Sequence, residues 1–383
     1  MQLALVHEWF STLAGSEKVV EQVCSLYPEA DLFAVYADRS LVNRTHFLCS
    51  RKLQTSFIQN LPRADRSFRS YLLLMPLAVE QFDLSSYDVV LSSSHAVAKG
   101  VLTGPDQLHI SYVHSPIRYA WDLQHQYLRE TGLDHGVKGW LARSMLHAMR
   151  IWDYRTAAGV DHFLANSQFI ARRIRKVYGR QADVIYPPVD VDAFPLGEKR
   201  EKFYLAASRF VPYKKMDLII EAFSAAPERR LVVIGDGPEF ARAKTKAGPN
   251  VELLGYQPHA VLADLMARCR AFVFAAEEDF GITPIEAQAA GAPVIAFGKG
   301  GVLETIRGLD QEEPTGVFFP RQDVPSLLAA IDRFEAEEGV FSPAVCRENA
   351  LRFSNQRFRD ELSSYVRRAL DEFKSRHRSR MAV

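Results

Sequence analysis

The chain has 383 residues, beyond the ~250–300 at which one hydrophobic core usually stops growing, so two domains are expected. Hydrophobic residues make up 48% and charged residues 24%, the balance of a globular protein, and a net charge of +1 gives no reason to expect a nucleic-acid partner. Four separated cysteines, Cys24, Cys49, Cys269 and Cys346, form no C-x-x-C pair, which argues against a zinc knuckle and for reduced thiols in a cytoplasmic protein.

Along the chain, the N-terminus Met1-Gln-Leu-Ala-Leu-Val6 has no basic region and reads as a first strand, Leu3–Val6, that runs into polar His7-Glu8. No run approaches the ~18 apolar residues of a membrane helix; Leu72-Leu-Leu-Met75 is closed by Pro76 and Glu80. Further short apolar runs fall at Val89–Leu91, His109–Val113, His162–Ala165, Val184–Tyr186, Phe203–Ala206, Leu231–Ile234, Val251–Leu254, Ala271–Ala275 and Pro293–Ala296. Amphipathic stretches such as Ser16–Leu26 and Met216–Ala225 lie between them. Alternation of this kind predicts an α/β architecture with parallel sheets covered on both faces. A boundary falls at Tyr186-Pro187-Pro188-Val189-Asp190, followed by the polar stretch Gly197–Lys202, after which the pattern restarts. The predicted domains are 1–190 and 197–354, with a terminal helix over 355–383 whose Phe358, Leu362, Tyr365, Val366 and Leu370 share helical spacing.

The strongest local signal is Phe272-Val-Phe-Ala-Ala-Glu277-Glu278-Asp279-Phe280-Gly281-Ile282-Thr283-Pro284-Ile285-Glu286. A buried strand leads through a glycine turn into a helix, the place where α/β sheets bind ligands and where free N–H groups favour phosphate. Thr283-x-x-Glu286 also spells a capping box, so Glu286 has two readings, cap or ligand contact. Three adjacent carboxylates, Glu277–Asp279, repel one another and suit hydroxyl-rich ligands or water. Ser208-Arg209-Phe-Val-Pro-Tyr-Lys214-Lys215 places cations after another strand, where an arginine fork and a lysine point charge suit phosphate oxygens, or simply solvent. Gly235-Asp-Gly237-Pro-Glu239 fails the dinucleotide fingerprint at Phe240 and reads as a tight strand–helix turn. Asp190-Val-Asp192 reads as turn chemistry, not a metal site. His114, in Ser111-Tyr-Val-His-Ser-Pro-Ile-Arg-Tyr-Ala-Trp-Asp122, ends a strand among aromatics and is either structural or catalytic.

Lys138–Arg180 holds nine Lys/Arg against Asp153 and Asp161. As a helix, Val137–Ala158 would show Arg143, His147, Arg150 and Tyr154 on one face and Leu141, Met145, Ala148 and Trp152 on the other. With Arg51, Lys52, Arg63, Arg66 and Arg69, this suits either solvent or an anionic membrane surface.

Taken together, these motifs resemble the retaining glycosyltransferases of family 4, also called group 1, with the GT-B fold, over nearly the whole chain. Glu278-x7-Glu286 looks like the paired-glutamate motif, Ser208-Arg209 with Lys214 like the diphosphate pair, and Gly235-Asp-Gly-Pro-Glu239 like the central turn. His7-Glu-Trp-Phe10, Ala14-Gly15-Ser16-Glu17 and Tyr112–Trp121 resemble bacterial mannosyltransferases of lipopolysaccharide, capsule and exopolysaccharide assembly.

The resemblance implies two Rossmann-like domains facing each other across a cleft, the first binding acceptor and the second nucleotide sugar, with the terminal helix returning to the first. It implies that Arg209 and Lys214 hold the donor diphosphate and that Glu278 meets sugar hydroxyls beside the N–H groups of Phe280, Gly281 and Ile282. Glu286 would bind ribose, His114 would touch the transferred sugar, and Gly15 would let its loop approach phosphate. Lys215 stands where many members have glycine, which leaves open whether it or Lys214 reaches phosphate. The implied reaction is metal-independent, needs no cofactor, and moves mannose from GDP-mannose to a polyprenyl-diphosphate-linked oligosaccharide at the inner face of the cytoplasmic membrane. A UDP-sugar donor, a nucleotide-sugar epimerase and a non-catalytic nucleotide-binding protein are the alternatives.

Overall fold

The computed structural model describes residues 1–197 and 199–381, with side chains through residue 376. Glu198, inside the polar stretch, and Ala382 and Val383, at the end of the expected terminal helix, lie outside the described residues. The chain divides into two compact units, one of Met1–Pro188 together with the chain from Phe358 onward, the other of Val189–Arg357.

In the first unit β1 (Leu3–Phe10), β2 (Asp31–Ala37), β3 (Leu53–Thr55), β4 (Val89–Ser94), β5 (Leu108–Val113), β6 (His162–Ala165) and β7 (Asp183–Val184) form one parallel sheet in the order β3-β2-β1-β4-β5-β6-β7. In the second, β8 (Phe203–Ala207), β9 (Arg230–Ile234), β10 (Val251–Gly255), β11 (Ala271–Phe274), β12 (Val294–Phe297) and β13 (Gly316–Phe319) run β10-β9-β8-β11-β12-β13, again all parallel. The inner strands β1, β4, β5, β8, β11 and β12 are buried on both faces, as their near-continuous apolar runs require, while the edge strands β3, β7 and β10 are partly exposed. Each sheet reverses its winding once, between β1 and β4 and between β8 and β11. Loops diverge there, so the carboxyl ends of those pairs are where such sheets take ligands.

Five helices matter below: α1 (Gly15–Leu26), α2 (Gly136–Thr156), α3 (Met216–Ser224), α4 (Ile282–Ala289) and α5 (Asn355–Met381). Phe358, Leu362, Tyr365 and Val366 of α5 enter the core formed by β1, β2 and α1, with Leu370 packed against it. Tyr365 also donates to Asp183 Oδ2 at 2.8 Å, fixing α5 to β7.

Strand β1 does not stop at Val6. His7 and Glu8 lie inside it, both 0% exposed. Glu8 is tolerable there because the N–H groups of His95, Ala96, Val97 and Ala98, just after β4, all donate to its carboxylate at 2.8–3.1 Å. Burial would raise its pKa, yet those amides and nearby His95 hold it below the usual carboxylate value. A second buried charge, Lys99, meets Asp153 Oδ1 at 2.7 Å and donates to the Asp153 carbonyl and Thr156 Oγ1. Asp153 Oδ2 in turn accepts from Trp121 Nε1 at 2.7 Å and from the Tyr178 hydroxyl at 3.0 Å.

The expected faces of α2 are corrected. Arg143 and Arg150 turn inward, to the carbonyls of Asp134 and Ala120 at 2.8 and 2.7 Å, because those loop acceptors have no secondary-structure partner. Leu146, Met149 and Asp153 form the buried stripe, while Val137, Trp140, Leu141, Ile151 and Tyr154 face outward, Val137 at 84% and Trp140 at 70% exposure. Arg51 is likewise no surface cation, since it binds the carbonyls of Cys24, Tyr27 and Pro28. Arg180 binds those of Ala157, Val160 and Asp161.

Asp153→Ala is expected to destabilise the protein by ~3–5 kcal/mol, since it strands a buried ammonium. Pairing it with Lys99→Met should recover most of that loss, as read by denaturant unfolding of both variants.

Candidate functional site

In the second unit the sequence motifs converge on the point where the strand order reverses. Arg209 follows β8, and Glu278, Phe280, Gly281 and Ile282 follow the adjacent β11. The loop after β8 is shaped by its neighbour: Ser208 N–H donates to the Ile234 carbonyl and Phe210 N–H to that of Asp236. Gly235 is the tight contact, since a Cβ there would sit 1.8 Å from the Ser208 carbonyl oxygen. The Gly235–Glu239 turn therefore supports the Arg209 loop. Arg209 is exposed, and among the described residues its guanidinium has no acceptor or carboxylate partner.

Lys214 and Lys215 are distinguished by the backbone. Lys214 ends a short 3-10 turn and forms an ion pair with Glu278, linking the two loops. Lys215 precedes α3 with φ +54, a conformation that explains why glycine suits this place. Lys214 is thus the lysine that reaches the carboxyl end of β11.

The carboxylate run is less strained than its sequence suggests. Glu278 pairs with Lys214 and Glu277 with Lys299 at 3.0 Å, so two of the three charges are balanced by lysines distant in sequence. The capping-box reading also fails. Helix α4 begins at Ile282, its N-cap is Gly281, and no side chain bonds the cap, because Thr283 lies inside the first turn. Glu286 is 7% exposed on that helix. The N–H groups of its first turn have no acceptors within the helix, which is the usual basis of anion affinity at a strand end.

One part of this site was not singled out by sequence. The loop Lys299-Gly300-Gly301 after β12 holds Glu278 from behind: Gly301 N–H donates to the Glu278 carbonyl at 2.8 Å, and a Cβ on Gly300 would meet that oxygen at 2.3 Å. Two adjacent glycines after an apolar run were the available signal. Asp190-Val-Asp192 lies elsewhere in the unit, where Asp192 pairs with Arg347 at 3.3 Å.

In the first unit, the corresponding reversal is flanked by β1 and β4. Gly15 is the first residue of α1, after the loop that leaves β1. His114 follows β5, one strand beyond the reversal, and its backbone is fixed by Ser94 and by Asn166. Its Nε2 lies 2.8 Å from Ser93 Oγ. Burial, with the neighbouring His95 and His7, holds its pKa well below the usual histidine value, so the imidazole is neutral near pH 7. His7, Ser93 and Glu17 gather beside it.

Two parallel α/β units, each with polar side chains at its order reversal, define the GT-B class of nucleotide-sugar enzyme folds. Residues 190–353 match the family described as glycosyl transferases group 1, and residues 16–193 match glycosyltransferase family 4. The chain belongs to these glycosyltransferases, of group 1 and family 4 type. A D-inositol 3-phosphate glycosyltransferase of Mycobacterium bovis (strain BCG / Pasteur 1173P2) is 27% identical over 250 residues, 57% of this chain. The match spans about half of that relative, 51% of its length. Among solved structures, sucrose-phosphate synthase from Thermosynechococcus elongatus is 16% identical with a TM-score of 0.74, covering 97% of this chain and 100% of its own. Anabaena HepE, solved in complex with UDP, is 16% identical with a TM-score of 0.68, covering 96% and 99%. At such identities the likeness is one of fold.

Gly300→Ala is expected to destabilise the second unit by ~1–3 kcal/mol, because φ is +88 and the added carbon strikes the Glu278 backbone. Thermal unfolding, with nucleotide-diphosphate affinity measured alongside, checks it; unchanged stability and affinity would contradict the bracing role.

Proposed function

We propose that this chain transfers a hexose from a nucleotide diphosphate to an acceptor with retention of configuration. The observation that carries this reading is the juxtaposition of Arg209, without a partner among the described residues, and the Lys214–Glu278 pair at the carboxyl ends of adjacent strands β8 and β11. Departure of a nucleoside diphosphate develops negative charge, and fixed cations with helix-start N–H groups stabilise it without reorganising at the moment of reaction. In this reading Arg209 and Lys214 neutralise the leaving diphosphate, and Glu278 accepts from sugar hydroxyls once donor phosphate competes for Lys214. The N–H groups of Phe280, Gly281 and Ile282 line the phosphate, Glu286 takes the ribose, His114 meets the transferred sugar, and Gly15 lets its loop approach phosphate. Lys215 contributes long-range charge. Turnover needs no metal because the cations fill its role, and full activity under chelator would agree.

The donor we propose is GDP-mannose, supported by the likeness of His7–Phe10 and Tyr112–Trp121 to bacterial mannosyltransferases. The acceptor is a polyprenyl-diphosphate-linked oligosaccharide. A UDP-linked donor is the second reading, favoured by the UDP and UDP-glucose complexes of Anabaena HepE. A panel of nucleotide sugars, read by binding and slow hydrolysis, separates the two; a clear preference for UDP-linked donors would replace GDP-mannose and keep the enzyme class. Incubation of donor without acceptor tests epimerisation.

Peripheral association with an anionic membrane is part of the proposal. Its support is the outward apolar face of α2 and the exposed Leu73, Leu74 and Leu77, on a segment whose Glu80 bonds Trp152 and Arg155 of that helix at 2.7 and 2.8 Å. Lys138 and the exposed Arg63, Arg66 and Arg69 supply charge of the right sign. Among the described residues no helix is long and apolar enough to cross a membrane.

Arg209→Ala is expected to lower turnover by on the order of 10² or more, and near-normal turnover would remove the assignment. Trp140→Glu with Leu141→Glu should weaken sedimentation with anionic vesicles by on the order of tenfold. Equal binding of this variant would remove α2 as the membrane face.

A further inference from the structure

β1, α1, β4 and β5 bring four side chains of the first unit into one chain of contacts. Ser93 Oγ lies 2.8 Å from His114 Nε2 and 3.1 Å from His7 Nδ1, while His7 Nε2 lies 3.7 Å from Glu17 Oε1. A serine hydroxyl has one proton. Its oxygen also has two lone pairs, so two singly protonated imidazoles bonded to it cannot both accept, and once one accepts the other can only donate.

Glu17 chooses between them. Burial raises its pKa, but the hydrogen bond to His7, the positive charge an imidazole carries at the low pH where Glu17 titrates, and backbone and Ser16 donors outweigh this and bring it to about 2. The carboxylate is thus charged and faces His7 in a site where the two side chains are 4% and 0% exposed. A nitrogen lone pair aimed at that charge is repelled, whereas an N–H is attracted, and little water is present to soften the difference. In the singly protonated form of His7 the proton accordingly sits on Nε2, and Nδ1 accepts from Ser93. The Ser93 oxygen then accepts from His114 Nε2–H, and His114 is left with a bare Nδ1. Among the described residues that nitrogen has no hydrogen-bond partner. His95, with ring centroids 6.1 Å from His7 and 6.3 Å from His114, and Glu8 adjoin the chain without bonding to it.

We infer that Glu17, His7 and Ser93 are positioning residues that hold His114 as its Nε2–H tautomer and so present Nδ1 as an acceptor for a hydroxyl of the bound sugar. The use of that acceptor rests on the glycosyl-transfer reading; the tautomer does not.

Nitrogen NMR of isotope-labelled histidines in the unliganded full chain reads the tautomer directly. At a pH where the same spectrum shows His7 singly protonated, the wild type should show His114 protonated on Nε2 alone. Ser93→Ala removes the bridge and should give a mixture of tautomers, while Ser93→Thr keeps the hydroxyl and the single form. Glu17→Gln makes the sharper test. Oε2 of Glu17 accepts from Ala14 N–H at 3.0 Å and from Ser16 Oγ at 2.9 Å, so the amide oxygen keeps that place and the amide nitrogen turns to His7. Every bond in the chain then reverses, and the proton of His114 moves to Nδ1. Turnover should fall by on the order of tenfold in kcat, with nucleotide-diphosphate affinity unchanged. A wild-type proton on Nδ1, or a tautomer that neither Ser93→Ala nor Glu17→Gln moves, overturns the inference. An inverted tautomer with full turnover overturns the hydroxyl-acceptor role, whereas the transfer reading itself fails only if no nucleotide sugar is bound or consumed.

Discussion

The reversal of strand order in each parallel sheet is the constraint from which the rest follows. Parallel strands need crossover helices, and winding outward in both directions from one pair leaves a crevice at that pair's carboxyl ends. In the second unit the pair is β8 and β11, so residues 64 positions apart in sequence, Lys214 and Glu278, meet as an ion pair. No local feature of either segment would bring them together. The backbone contacts of Gly235 on one side and Gly300 on the other then hold both loops in place.

Each unit handles buried charge differently. The first encloses Glu8, Glu17, Lys99 and Asp153, and each has hydrogen-bond or ionic partners that offset its desolvation. Such networks are poor sources of net stability but strong constraints on geometry, because any displacement leaves a charge unpaired. In the second unit Arg209 instead lies exposed on its loop, and its guanidinium has no partner among the described residues. An unpaired cation at a strand end is cheap while hydrated and becomes effective once a ligand excludes water.

Much of this was legible in the sequence. The alternation of apolar runs with amphipathic stretches predicted two parallel α/β units, and the motif residues of the second do gather at one strand pair. β3 was not legible, because Leu53–Thr55 are all half-buried and carry no apolar run. β2 was not singled out either, although Leu32–Ala37 is an unbroken apolar run like those of the strands that were. The length of β1 was missed because His7 and Glu8 look like a strand end until partners from beyond β4 are known. The faces of α2 were misjudged because sequence cannot show that Arg143 and Arg150 are claimed by loop carbonyls. Long-range partners, not propensities, decided these last two cases.

The same argument applies to Glu277–Asp279. Adjacent carboxylates in a sequence invite a ligand to explain them, but Lys299 and Lys214 already balance Glu277 and Glu278. Their chemistry therefore depends on exchange. On the proposed reading, a donor phosphate that draws Lys214 away would leave the Glu278 carboxylate open to hydroxyl groups and so couple phosphate and sugar binding through one ion pair. Lys214 and Glu278 each keep 18% of their side chain exposed, against 1% and 0% for Lys99 and Asp153, so solvent and a phosphate have some access to the pair. A buried pair of the Lys99–Asp153 kind in the same position would resist the exchange, which is a physical reason for the two units to place their charges as they do.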